Sequence, residues 1–370
     1  MAKPKKKLLP KNFEELLQQG DIDTLKAVFA SCDVNARGGY TKQSALAYND
    51  CPDELARWLV AQGADPMAED SYGETPLHAR ARHWQGRIEI LIELGADVHH
   101  GENMRGTPLH MAAGAYNPRT AKILLQNGAR ANALNRENET PLVYALQRCS
   151  NINLENMVAL TELLLEVDPP IAPKSVGLLG RLFGKSGKAE DRPDYGEMVT
   201  RIGTNFEFHR SNFNPDLVDA ASAALDRLYT LFNVPPVARR VMHDGKSTIT
   251  VTAKKWEDRH QQYWELLVPS SGAAATVQGE VIRISGRIND ELQGNGGINW
   301  DSDYKKMADM LLQHVGSGKP LSPAELAEFS AIIKDVKGRR GDTVRLCELA
   351  TQWVALNPQP VKLPPPDYQR

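Results

Sequence analysis

Histidines, carboxylates and one glycine-flanked lysine are the groups of this 370-residue chain whose types and spacing could do chemistry. His99 and His100 adjoin each other two residues after Asp97, a set that could ligate a metal from an exposed tip. His78 and His110 each close an identical tetrapeptide, and an imidazole near neutral pH serves as ligand or general base. Asp290, Glu291 and Asp301 lie in a polar run with Arg283, Arg287, Asn295, Asn299 and Asp303, where carboxylates could hold a divalent cation. Against that site, Arg287 reaches Glu291 at i, i+4 and Glu280 reaches Arg283 at i, i+3, as ordinary helix-surface ion pairs do. Gly180–Ser186, with Gly184 and Lys185, leaves three residues between its glycines where a phosphate loop needs four, and no buried strand precedes it. The nucleophile-elbow and zinc-helix frames are missing, as is a plausible Ser/His/Asp set. The expectation is therefore a chain without catalysis, cofactor or metal.

The bulk properties restrict the class further. Hydrophobic content of 41% and charged content of 24% are those of a soluble globular protein long enough for two or three domains. A net charge of −2 gives no general pull toward nucleic acid, so none is expected as partner. Cys32, Cys51, Cys149 and Cys347 are scattered, which fits small apolar fillers in a reducing, cytoplasmic setting. No apolar run is long enough to span a bilayer, and the short Leu178, Leu179, Leu182, Phe183 cluster is too small for stable membrane association. Lys3, Lys5, Lys6, Lys7 and Lys11 mark residues 1–11 as a basic, disordered arm without a signal peptide.

The elements that must position these groups repeat. Thr75-Pro76-Leu77-His78 returns 32 residues later as Thr107-Pro108-Leu109-His110, and 33 after that, worn, as Thr140-Pro141-Leu142-Val143. Gly63-Ala64, Gly95-Ala96 and Gly128-Ala129 keep the same spacing. Each Thr-Pro starts a helix with proline in the first turn, where its missing N–H costs nothing. A second helix follows, striped by Ile88, Leu91 and Ile92, or by Ala121, Leu124 and Leu125, until the glycine supplies a left-handed stop. Weaker units flank these: Phe13–Leu17 with Leu25, Val28 and Phe29 upstream, and Met157, Leu160, Leu163 and Leu164 before Pro169-Pro170 downstream.

This period and tetrapeptide resemble the ankyrin-repeat family over residues 12–170, in about five units with atypical ends. Departures are Ser44-Ala45-Leu46-Ala47 in place of the tetrapeptide, Arg80 where the pattern has alanine, Asn138 for the turn glycine, and Gly106 one place late. The resemblance implies a solenoid whose histidines brace turns and whose concave face and turn tips bind another protein. Carried over by position, the contact residues are Tyr72 and Glu74; Arg82 and His83; Met111 and Ala115; Arg136, Glu137 and Glu139; and Tyr144, Gln147 and Arg148. Trp84 and Tyr116 join them at the ends of their first helices, being residue types common in interface hot spots.

Residues 171–200 read as a glycine-rich linker and 201–357 as a helical accessory domain with a small β element. Asn214-Pro215-Asp216 starts a helix striped by Leu217, Ala221, Leu225, Leu228 and Phe232, and Asp244-Gly245 predicts a hairpin with a strand over 247–252. Further helices carry Trp256–Leu267, Val277–Leu292, Tyr304–Val315, Pro323–Val336 and Asp342–Trp353, and 358–370 is a proline-rich, extended tail. The run from Thr276 to Asp301 is similar to segments of immunity-type proteins of bacterial toxin systems, which would make a toxin the partner. The competing expectation is an enzyme in 201–357, with the repeats recruiting substrate.

Overall fold

Thr75, Thr107 and Thr140 each stand extended immediately before a helix in the computed structural model, which describes residues 4–101, 105–168 and 194–368. The helices Pro76–Ala81, Pro108–Gly114 and Pro141–Arg148 each return through a second, Glu89–Glu93, Pro118–Gln126 and Leu154–Val167. Gly63, Gly95 and Gly128 adopt positive φ just past the helix ends, where a side chain would be strained. Leu77, Leu109 and Leu142 are buried between units, with Leu55, Leu91, Leu124 and Leu164 from the second helices. This is a helical repeat solenoid.

Arg80 shows what its departure does. The preceding unit has only a single 3₁₀ turn, Ala45–Ala47, before helix Asp53–Ala61. Arg80 is fully buried and donates to the carbonyls of Leu46 (2.8 Å), Arg87 (3.1 Å) and Cys51 (3.3 Å). An alanine would leave the carbonyls of the shortened segment without these donors. The arginine compensates for a missing helical turn.

Upstream the expectation of a disordered lysine arm is corrected. Lys6–Leu8 pairs parallel with Cys32–Gly38, which pairs antiparallel with Gln43–Ser44 in a three-stranded sheet. Backbone pairing, the buried Leu9 and Phe13, and Lys5 Nζ donating to the Phe29 carbonyl (2.9 Å) hold the segment, while Lys6 and Lys7 are exposed. Helices Phe13–Gln19 and Ile22–Ser31 follow the strand. At the other end, Pro215–Phe232 packs against Leu154–Val167, with Arg227 Nε 2.7 Å from Glu162 Oε1. The described chain thus forms two compact units, Met1–Thr204 with Pro215–Pro236, and Asn205–Asn214 with Val237–Arg370. Residues 215–236 therefore go with the repeats, although the composition shift had grouped them with the second half. The glycine-rich stretch around Gly180–Ser186, with Leu178–Phe183 and Pro169-Pro170, lies outside the described residues.

The second unit is built around helix Val277–Asn289, packed by Trp256–Leu267, Ser302–Val315 and Thr343–Leu356, with Pro323–Lys337 outside. That central helix is buried nearly all round, including Gln278, Glu280 and Arg283, so its polar side chains need partners inside. Arg283 Nη2 lies 2.5 Å from Glu280 Oε1, Tyr368 Oη donates to the same oxygen (2.5 Å), and the Ala274 N–H donates to Oε2 (2.9 Å). Gln278 donates to the carbonyls of Asn357 (2.9 Å) and Gln359 (2.6 Å) and accepts from the Val361 N–H (3.0 Å). Through these bonds the proline-rich segment up to Tyr368 is a strap across the core and not a loose end. The hairpin expectation is corrected: Asp244 Oδ1 accepts from the N–H groups of Lys246 and Ser247 at 2.8 Å in a tight turn, and 247–252 forms no strand. Its Ile249 N–H donates instead to the Pro358 carbonyl at 2.8 Å.

Candidate interaction surface

The repeated histidines do structural work at both ring nitrogens. The Thr75 N–H donates to His78 Nδ1 (3.3 Å), so the ring proton sits on Nε2 and is given to the Gly106 carbonyl of the next unit (3.1 Å). His110 repeats this, accepting from the Thr107 N–H (3.1 Å) and donating to the Glu139 carbonyl (3.0 Å). Burial, with the nearby His100, pushes the His78 pKa down to about 3, and burial lowers that of His110. Both rings are neutral braces with no lone pair left for a metal or a proton in transit. Gly106, at φ 94, must be glycine, because a Cβ there would lie 2.8 Å from the His110 ring. Val143 ends the series, since it has no nitrogen to reach onward.

The braces hold the turn tips in a row, Glu74 to Gly106 to Glu139. The structure puts Tyr72 (58% exposed) and the exposed Arg136 on the tips, and half-buried Arg82 and His83 at the end of the first helix. Glu74 is buried beneath Arg82, with which it pairs, and lies 3.8 Å from Arg105 of the next tip. Glu139 is likewise buried, 3.4 Å from Arg148, whose guanidinium sits 3.9 Å over the Tyr144 ring and 3.6 Å from Glu137. The two outer tips of this row therefore have a carboxylate inside and a guanidinium outside.

Besides Glu74 and Glu139, two more expected surface residues are buried. Met111 is buried because its position on the first helix faces the neighbouring unit, and its Sδ receives Arg82 Nη2 at 3.1 Å. Tyr116 is buried in the left-handed region, with its hydroxyl on the Ala145 carbonyl at 3.2 Å. Trp84 is 76% exposed, but on the loop at the far end of the first helix from the tip. Sequence reasoning passed over Tyr40 and Arg105. Tyr40 is 91% exposed on the preceding tip, where the Thr41 carbonyl accepts the Ser71 N–H at 2.8 Å. Its signal was available: Tyr40 precedes Ser44 by four residues, as Arg136 precedes Thr140.

The other candidate groups have separate tasks. His99 is exposed, while His100 Nε2 faces Glu69 Oε1 at 3.1 Å with its ring edge on His78. Glu291 is wrapped by its own loop, accepting the Asn299 N–H (2.6 Å) and the amides of Asn299 (3.2 Å) and Asn295 (3.1 Å). Asp301 caps helix Ser302–Val315 at the N–H groups of Asp303 and Tyr304, and burial raises the pKa of Asp290 at the start of a π-helical turn. Those three carboxylates are not assembled into one site, and among the described residues no group of three or more His, Cys, Asp and Glu could hold a metal. Burial pushes the Cys51 thiol up to about 11 and those of Cys149 and Cys347 up to about 12, which makes them poor nucleophiles. No described helix is long and apolar enough to cross a membrane.

Comparison with known proteins matches residues 84–168 to the family described as ankyrin repeats, in three copies. The Notch protein of Drosophila melanogaster is 38% identical over 103 residues, covering 27% of this chain and 4% of its own length. Ankyrin repeat and SOCS box protein 16 of Mus musculus is 36% identical over 125 residues, 31% of this chain and 28% of that protein. The E3 ubiquitin-protein ligase Ufd4 of Drosophila melanogaster is 39% identical over 97 residues, 26% of this chain and 4% of the ligase. The chain thus spans only a small part of each of these relatives. Braced Thr-Pro-Leu-His turns, the glycine stops and these matches agree that the helix pairs over residues 84–168 are ankyrin repeats.

Proposed function

We propose that the chain is a non-catalytic cytoplasmic protein that binds another protein across the concave face and tips of its repeats. The observation that carries this is the row of braced tips, which holds Tyr72, Arg136 and the Arg148–Tyr144 stack outward on a rigid base. Rigid presentation of aromatic and arginine side chains limits the ordering entropy lost on association. In its sharpest form the partner is a toxin that the chain neutralises by covering it, a reading supported by the sequence similarity of Thr276–Asp301 to immunity-type proteins. Site-specific photo-crosslinking tests the surface in cells. A crosslinker replacing Tyr72 should capture one partner, while the same group at Lys122, exposed on a second helix, should not. Equal capture from both positions, or retained binding in Tyr72→Ala with Arg148→Ala, would remove the assignment.

A further inference from the structure

The two carboxylates of the tip row are placed where a partner cannot use them. The side chains of Glu74 and Glu139 are 6% and 9% exposed, whereas those of Arg82, Arg105 and Arg148 above them are 39%, 56% and 42% exposed. Seen from solvent, Arg82, Arg105 and Arg148 lie over the two buried acids, beside the exposed Glu69 and Glu137 at 47% and 57%. The more accessible acids are engaged: Glu69 faces His100 at 3.1 Å, Glu137 faces Arg148 at 3.6 Å, and Asp70 accepts the N–H groups of Tyr72 (2.8 Å) and Glu74 (3.0 Å). Between the two arginine clusters the middle unit has only small side chains at the two positions in question, Gly114 matching Arg82 and Ala115 matching Arg148.

We propose that this row recognises an extended, carboxylate-rich segment of the partner, one acidic side chain docking at Arg82 and Arg105 and another at Arg148. The inference rests on the repeats being the binding surface and adds what they read. Guanidinium groups pair with carboxylates in a planar, two-pronged fashion, and here each is oriented from behind by a buried acid before the ligand arrives. Two steps of packed helices at 8–10 Å separate the clusters by roughly 20 Å. An extended chain rising about 3.3 Å per residue bridges that span in roughly six residues. The exposed ring of Tyr72 lies beside the path and offers apolar contact, while Tyr144 supports Arg148 from below.

The test uses the full chain and fluorescein-labelled peptides in a glycine–serine frame, carrying two glutamate pairs about six residues apart. Fluorescence anisotropy should show saturable binding that weakens with added salt, at least about tenfold weaker for the glutamine version and lost for the lysine version. Arg105→Gln, at an exposed tip and leaving Glu74 paired with Arg82, should weaken binding about fivefold without moving the melting temperature. Equal binding of the glutamine peptide, no binding of the glutamate peptide, or an unchanged affinity in that variant each overturns acid recognition. Partner capture at Tyr72 together with any of these outcomes leaves the binding surface standing and removes only its proposed ligand chemistry.

Discussion

Arg80 and Arg283 are both fully buried, one in each unit, and the two sites satisfy the charge by opposite means. Arg80 faces three backbone carbonyls, so its partners are neutral and were already present in the chain. Arg283 faces the carboxylate of Glu280, and burial, which alone would raise the Glu280 pKa, is outweighed by Arg283 and the Tyr368 hydroxyl, which hold it low. The first arrangement repairs a local shortage of donors. The second is a buried ion pair that must be kept whole, because an isolated charge at such a site is far less favourable than the pair.

That difference can be broken by substitution. Glu280→Gln should lose about 3–5 kcal/mol, since it strands the Arg283 charge in the core. Replacing Glu280 and Arg283 together by methionine, with Tyr368→Phe, should recover part of it, because the apolar set needs no partners and only the Ala274 N–H loses its acceptor. Denaturant unfolding reads both, and a single variant as stable as the parent would end the distinction. Arg80→Met should cost about 2–3 kcal/mol from the carbonyls left without donors, and Arg80→Lys should rescue little, since one ammonium cannot span three carbonyls.

The braces extend the comparison to smaller effects. His78→Val, which imitates Val143 of the worn unit, should cost about 1–2 kcal/mol. His78 also predicts a pH dependence. Its folded pKa of about 3 lies below the ordinary 6.5, so between those values the unfolded chain binds a proton that the folded ring refuses. Stability from this group is complete above pH 6.5 and falls as pH drops toward 3, at up to about 1.4 kcal/mol per unit. His78→Val should flatten that slope in urea titrations at a series of pH values. Tyr72→Ala should be the mildest, within about 0.5 kcal/mol of the parent by thermal melting, because the side chain sits on an exposed tip.

What could be read in the residues was whatever repeats. The spacing of Thr75, Thr107 and Thr140 and of the glycine stops fixed the helix pairs, because proline and glycine act locally through backbone geometry. The departures were visible, and Asn138 does adopt positive φ at 59. Long-range partners were not visible. Lysines over 6–8 read as a solvated arm because the strand they form is specified by the edge of 32–38, not by its own side chains. Asp244-Gly245 read as a hairpin because the same residues also close a tight turn on the aspartate's own oxygen. At the surface, sequence position named Tyr72, Arg82, Arg136 and Arg148 but could not separate Met111 and Tyr116, whose burial depends on the neighbouring unit.

The strap over residues 358–368 has a consequence for how the protein is made. Its bonds join Gln278 to Val361 and Glu280 to Tyr368, 83 and 88 residues apart, whereas His78 reaches Gly106 over 28. Contacts of low separation close early, so the repeats can acquire their fold while the ribosome is still translating the second half. The core around Glu280 and Arg283 remains incomplete until residues 358–368 emerge from the ribosome. A chain stalled before Val361 would therefore carry finished repeats beside an open ionic core, the state in which a chaperone or protease would first meet it.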